Sequence, residues 1–352
     1  MRSAKPSAAR RAAAAYGWKD SELSPIRGGL INETYAVAAA PGEPPSAVLQ
    51  RLHPVFAPEV NLDIDAITRH LEAEGLETPR VIATREGALW VVVDDQPWRA
   101  LTYLDGITRA RVGDREHARS AGALVGRFHR ALVTLEHEFA FTRAGVHDTA
   151  AHLTRLERAV FAAEGEAALA EAREVGRDIA QHAATLSPLP ELPARITHGD
   201  LKISNVLFCR VAPNRARCLV DLDTLGRQSI AYELGDALRS WCNPNAEDEL
   251  EAAVDLDVLS AALAGYADGA GGLLSGAEID ALVTGLETIC VELAARFCVD
   301  AFEDRYFGWD PERYPNRRAH NLARARGQLA LARSVAARRD DALAAARAAF
   351  AR

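Results

Sequence analysis

The chain has no CxxC pair and no zinc-type spacing of cysteine and histidine, so Cys209, Cys218, Cys242, Cys290 and Cys298 support neither a structural metal nor a disulfide framework. Reduced thiols are the expectation. Long apolar runs are missing too, and with them any segment able to span a bilayer as a helix. Positive charge is in deficit: 41 Lys and Arg against 49 Asp and Glu give a formal net charge of -8. A general nucleic-acid binder needs a basic face to neutralise phosphates, so the balance argues against that class and leaves room for a small, locally basic anion pocket. No internal repeat is visible. The first fifteen residues are basic and alanine-rich but lack the continuous apolar stretch of a secretory signal. They read as a frayed helix or tail, and the cytoplasm is the expected compartment.

What is present is a chain of 352 residues, 49% hydrophobic and 26% charged, long enough for one large two-lobed unit or two ordinary domains. Strand signals crowd the first hundred residues, at 33–37, 46–51, 88–93 and 98–103, where β-branched and aromatic residues gather. Between the second and third, Leu62, Ile64, Ile67 and Leu71 recur at helical intervals. Beyond Gly106 the sequence turns to Ala/Leu-rich amphipathic helices, over 115–136, 149–163 and 166–184. Two short apolar pieces, 205–209 and 217–222, bracket the turn-prone Val211-Ala212-Pro213-Asn214 and predict a β-hairpin. The organisation expected is an N-terminal helix or tail over 1–20, a small sheet lobe over 21–103 and a large helical lobe over 104–352.

The chemistry concentrates in His198-Gly199-Asp200-Leu201-Lys202-Ile203-Ser204-Asn205 and in Asp221-Leu222-Asp223. An Asp followed by Lys and Asn, then a strand ending in Asp, supplies what phosphoryl transfer needs, which is positioning and charge neutralisation. Asp200 would accept the proton of an attacking hydroxyl, Lys202 would add positive charge, and Asn205 and Asp221 are hard oxygen ligands for Mg²⁺. A His-Gly-Asp alone is commonly a turn with a capping Asp. The Lys, the Asn, the hairpin and the second acidic motif together argue against that reading. Gly28-Gly29, just before the first strand signal, would let the backbone approach phosphates, or would simply turn the chain.

The run from His198 to Asn205 resembles the catalytic loop of protein kinases and, with its Gly, that of aminoglycoside phosphotransferase-type enzymes. The resemblance implies an α+β, protein-kinase-like two-lobed fold, with ATP and Mg²⁺ as cofactors and a nucleotide-binding small lobe. It makes His198 a brace of the loop, Asp221 the metal-binding aspartate and Asp236 a buried aspartate holding the loop through its backbone. Leu222-Asp223 replaces the familiar Phe-Gly, and Asp223 would assist the metal or stay structural. Gly29-Leu30-Ile31-Asn32-Glu33-Thr34-Tyr35, Leu49-Gln50-Arg51, Asp221-Leu222-Asp223-Thr224, Leu234-Gly235-Asp236-Ala237-Leu238-Arg239 and Arg296-Phe297-Cys298-Val299-Asp300 together resemble N-acetylhexosamine 1-kinases. That adds Asn32 to the nucleotide loop and Arg296 and Asp300 to an acceptor cleft.

The strand lysine of protein kinases is missing. Gln50-Arg51 stand in its place, and alternation lets only one of them face a nucleotide. Arg51 has the charge, whereas Gln50 could only hydrogen-bond. Its helix partner would be Glu59, Asp63 or Asp65. Tyr103-Leu104 would lie against adenine by resemblance, or be plain core. Arg296 and Asp300, four apart on a helix, would either pair with each other or wall the cleft. Phe307, Trp309 and Tyr314 would stack on a sugar ring or anchor their loop.

Three functions compete. The first is a kinase acting on a sugar, most simply the anomeric hydroxyl of an N-acetylhexosamine. The second keeps the reaction and changes the acceptor to an aminoglycoside, choline-like or homoserine-like alcohol. Such cationic acceptors want an acidic lining, and the run of Glu247, Asp248, Glu249 and Glu251 reads more simply as a solvated helix start. The third is a nucleotide-binding scaffold without catalysis, against which stand the intact Asp200, Asn205 and Asp221. In all three the partner is a small molecule, with neither nucleic acid nor membrane.

Overall fold

The computed structural model describes residues 7–26, 32–142 and 145–351. The chain divides into two compact units: one takes in the described residues of Met1–Gly106, Thr134–Arg143 and Cys218–Leu225, the other those of Ile107–Val133, Ala144–Arg217 and Gly226–Arg352. Among the described residues no helix is long and apolar enough to cross a membrane. Gly28 and Gly29 lie outside the described residues.

The first unit is built on an antiparallel sheet of β1 (Glu22–Pro25), β2 (Glu33–Ala38), β3 (Ala47–Arg51), β4 (Val81–Ile82), β5 (Val91–Val93) and β6 (Gln96–Thr102). The order is β1-β2-β3-β6-β4, with β5 also on β6. Two helices accompany it, α1 (Ala8–Ala15) and α2 (Val60–Ala73). Of the helix or tail expected over 1–20, the described residues hold α1: Ser7 caps it, and Ala9, Ala12, Ala13 and Tyr16 share a core with Val37, Leu49 and Trp98. Alanine's small side chain lets that helix come close to the sheet. On α2 the buried stripe is Val60, Ile64, Ile67 and Leu71, while Leu62 turns outward. Buried Asp63 of this helix accepts the backbone N–H groups of Ala140 and Phe141 at 2.8 and 3.0 Å, which ties residues 134–143 to it.

The second unit contains α3 (Arg115–Ala131), α4 (Thr149–Ala162), α5 (Ala170–Ala183), β7 (Arg195–Thr197), β8 (Val206–Phe208), β9 (Ala216–Leu219, running into the first unit), β10 (Gly226–Gln228), α6 (Ile230–Trp241), α7 (Leu256–Ala270), α8 (Gly276–Glu303), α9 (Arg317–Ala337) and α10 (Arg339–Phe350). The expected hairpin is there, closed by the Cys209 N–H on the Arg215 carbonyl at 2.9 Å. The β7–β10 pair has no counterpart in the sequence reading, because strands of three residues carry no measurable alternation. The long α8 starts at a capping box formed by Ser275 and Glu278 and is buried along most of its length by α6, α9, α4 and α5.

Helices α3 and α7 touch backbone to backbone. A Cβ on Gly265 would stand 1.9 Å from the Arg119 carbonyl oxygen, and one on Gly122 would stand 2.0 Å from that of Ala262. Neither obstacle is a flexible side chain. Gly265→Ala should therefore lower stability by about 1–3 kcal/mol or more, as overpacking does. Denaturant unfolding reads this directly, and an unchanged midpoint would mean that the helices separate at no cost.

Candidate active site

The segment between β7 and β8 is held from below by α6. Gly199 takes a φ of +79°, open to glycine at little cost, and this turns the chain sharply after His198. Trp241 Nε1 donates to the Leu201 carbonyl at 2.8 Å, and Ser240 Oγ accepts the Ile203 N–H at 3.0 Å. Between these supports the Asp200 side chain stays partly open, 28% exposed. Its Oδ2 accepts Lys202 Nζ at 2.6 Å and Asn205 Nδ2 at 3.0 Å. The same amide nitrogen reaches the Asp200 carbonyl at 2.8 Å. One carboxylate is thereby aimed by an ammonium and an amide. His198 is buried, its Nδ1 accepts the Asp200 N–H at 3.3 Å, and its ring meets the edge of Phe128.

The brace assigned to Asp236 belongs to Glu233. Its two carboxylate oxygens accept the His198 and Gly199 N–H groups at 2.7 and 2.9 Å, and His129 Nε2 lies at 3.2 Å. Burial by itself would raise this carboxyl's pKa, but the donors from His129 and the His198 backbone outweigh it and hold Glu233 below the usual glutamate range. Asp236, one turn on, pairs instead with Arg239 at 3.0 Å, and its Oδ2 is buried without a hydrogen-bond partner. Two acids three residues apart share that helix face, which is why the sequence misassigned the role.

Whether the expected Mg²⁺ ligands suit a hard divalent cation follows from what each atom already does. Asn205 spends its amide nitrogen on Asp200, which leaves its Oδ1 as a hard donor. Asp221 is exposed and sits in left-handed backbone at φ +65°. Both fit. Asp223 does not: it is 2% exposed, its Oδ1 is paired with Arg99, and its Oδ2 accepts Asn32 Nδ2 at 2.6 Å. Its metal role is therefore corrected to a structural one.

Arg51 is corrected as well. It points to solvent and pairs with Glu33, directly opposite on β2, at 2.8 Å. Gln50 faces the other side, where its Oε1 accepts Arg99 Nε and Nη2 at 2.9 and 2.8 Å and its Nε2 donates to Thr34. The buried cation of this sheet is Arg99, across from Gln50 in the β3–β6 register. None of the three candidate helix acids meets it: Asp63 caps residues 140 and 141, Asp65 pairs with Arg69, and Glu59 is exposed at the start of α2. Arg99 was legible as an arginine between Trp98 and Ala100 in a central strand, a place where charge is rarely spent without a partner. Asn32 bridges Asp223 and the His53 N–H, the latter at 2.9 Å. Tyr103 and Leu104 are half-buried, with the Tyr103 N–H on the Ser46 carbonyl at 3.1 Å.

On α8, Arg296 turns back to buried Glu292 at 3.7 Å and lies over Phe307, rather than pairing with Asp300. The Asp300 carboxylate accepts the N–H groups of Arg305, Tyr306 and Phe307 and the amide of Asn321. With all its lone-pair directions used and its side chain buried, Asp300 shapes the following loop and does not line a cleft. Tyr314 stacks on His320 and donates to Asp248, which anchors its loop. Asp248 is buried, with Arg313 and His320 against it, and the chain around it is not helical, so the solvated helix start is corrected too.

Homoserine kinases from Methylobacterium nodulans and Allorhizobium ampelinum are 29% and 27% identical to this chain over 182 and 176 residues, in each case 50% of this chain and 51% of the relative. The chain spans about half the length of the curated relatives it matches. Its fold recurs among solved structures. A microcompartment-associated aminopropanol kinase superposes with a TM-score of 0.61 at 18% identity, covering 95% of this chain and 98% of that one. An aminoglycoside phosphotransferase from Alicyclobacillus acidocaldarius gives 0.59 at 15% identity, covering 97% and 98%. The fold is thus α+β and protein-kinase-like. The model of the phosphotransferase enzyme family matches residues 22–269, and with the loop geometry at Asp200 already in place, the chain belongs to that family.

Proposed function

We propose that this chain is an ATP-dependent kinase that transfers the γ-phosphoryl group to a hydroxyl of a small molecule, with Asp200 as the base. The observation that carries this reading is the Asp200 carboxylate, partly open and oriented by Lys202 and Asn205 on a loop fixed from beneath by Glu233. Asp200 takes the proton of the attacking hydroxyl as the new oxygen–phosphorus bond forms and the bond to the β-phosphate oxygen breaks. Lys202 offsets the negative charge that gathers beside it. Asp221 would be a ligand of Mg²⁺, and Asn205 offers an amide oxygen of the same hard kind; the metal, when bound, neutralises the phosphates.

For the acceptor we favour a neutral polyhydroxylated molecule, an N-acetylhexosamine or related sugar phosphorylated at its anomeric hydroxyl. In the second unit the buried carboxylates of α6 and α8 already carry countercharges or donors: Asp236 has Arg239, Glu292 has Arg296, His147 and Thr149, and Asp300 has four donors. The oxygen left over, Oδ2 of Asp236, belongs to a charge that Arg239 balances, which suits a hydroxyl better than an ammonium. An amino-alcohol acceptor is the second reading, and the homoserine kinase relatives favour it. Acceptor-dependent ADP release over a panel of hexosamines, homoserine, aminopropanol, choline and an aminoglycoside decides between them. Turnover on the sugars is expected, and turnover on the amino alcohols alone would overturn the sugar reading.

A further inference from the structure

Asp221 adopts φ +65° and ψ +57°, left-handed backbone that costs a side-chain-bearing residue energy, though Asp tolerates it better than most. Two residues on lies a rigid anchor. Asp223 is buried with both oxygens committed, one to Arg99 and one to Asn32. Arg99 is 1% exposed and is itself fixed by three elements: by Gln50 of β3 through two hydrogen bonds, by its own central strand β6, and by Asn61 of α2, whose Oδ1 lies 3.5 Å from Nη1. Asn61 is fully buried and donates to the Pro58 carbonyl, so it has no freedom to follow a moving partner. Asn32, one residue before β2, meets the same carboxylate and also accepts the His53 N–H beyond the end of β3. Sheet, helix, Asn32 and the turn at 221–223 therefore converge on one buried ion pair.

We propose that Arg99 and Asp223 form a positioning pair that sets the Asp221 carboxylate for the metal–nucleotide complex. The pair does this in place of a lysine on β3, where this chain carries Gln50. Arg99, 1% exposed, is turned inward to Asp223 and Gln50 and is not a phosphate ligand; Asp223, 2% exposed and paired with Arg99, is closed off from a metal. Their effect reaches the metal through the conformation of residues 221–223. The proposal rests on the reading of Asp221 as a metal ligand, and the experiment separates the two.

The test uses the full chain, with Mn²⁺ as the probe in the presence of ADP and its binding followed by electron paramagnetic resonance, so that no turnover is needed. The variants are Arg99→Lys, Asp223→Asn, the double Arg99→Met/Asp223→Leu, and Asp221→Asn. Removing one partner of a buried pair leaves an uncompensated charge and endangers folding, whereas replacing both with apolar groups of similar size is often tolerated, so the double variant keeps the test open. Far-UV circular dichroism checks each fold. The expected result is Mn²⁺ affinity weakened about 10- to 100-fold in Asp223→Asn and by a similar, non-additive factor in the double variant, the range typical of residues that orient a metal ligand. Arg99→Lys, which keeps the charge but loses the fork that grips Gln50 and Asp223 together, should fall between these and the parent. Parental affinity in Asp223→Asn and the double variant, with Asp221→Asn weakened, would overturn the pair alone. Parental affinity in Asp221→Asn would overturn the metal reading and the pair with it.

Discussion

An Asp200→Asn variant should turn over about 10²–10⁴-fold more slowly than the parent, the span that a positioned general base contributes. The substitution is nearly isosteric, and an amide oxygen can still accept Lys202 Nζ, which now lies 2.6 Å from Oδ2. Asn205 keeps its bond to the residue-200 carbonyl, so the loop retains its shape. What disappears is a group able to take a proton as the acceptor oxygen attacks. The loss should therefore fall on kcat, with Mg–ADP affinity by calorimetry close to that of the parent. Turnover at the parental rate would mean that Asp200 does no proton transfer.

The second large effect is expected far from any reacting atom. Glu233→Ala removes the shared acceptor of the His198 and Gly199 N–H groups and of His129, all inside the second unit. Buried donors left without partners cost about 1–3 kcal/mol each, and breaking a buried charged network costs about 3–5 kcal/mol in total because the losses overlap. Against a total stability of about 5–15 kcal/mol that is a large share. Denaturant unfolding should show it, and a loss below about 1 kcal/mol would mean that the loop is held by Ser240 and Trp241 alone. Glu233→Gln separates shape from charge. The folded-state pKa of Glu233 is depressed, so its charge contributes stability in full above the ordinary glutamate value of about 4.3. That contribution is lost as pH falls through the lower folded value. The Gln variant lacks it, so the gap between parent and variant should narrow on acidification through that window.

The features legible in the sequence are those encoded locally. Helix periods, the 205–222 hairpin and the spacing of Asp200, Lys202 and Asn205 are short-range patterns, and the structure brings those three side chains together within one loop. The features that were not legible depend on register and on helix faces. That Gln50 sits opposite Arg99 is fixed by a strand pairing across 49 residues, and that Asp223 meets Arg99 by a fold contact across 124. No local pattern distinguishes Gln50 from Arg51, since alternation says only that they face opposite ways. Glu233 and Asp236 are a subtler case. Both are acids on the loop-facing side of α6, and the choice depends on which lies under the His198 amide, a matter of a single helical turn. At Asp300 the sequence showed an acid four residues from Arg296. The three backbone donors that occupy it come from a loop whose path only the fold determines.

Transfer of a phosphoryl group from ATP to a hydroxyl is tested most directly by phosphorus NMR of the products after incubation with ATP, Mg²⁺ and the acceptor that best stimulates ADP release. A new monoester resonance equal in amount to the ADP formed is expected, split by coupling to an anomeric proton if the acceptor is a sugar, and it should form far more slowly with Asp200→Asn. Inorganic phosphate as the only new species, or ATP left intact with every acceptor, would contradict that transfer.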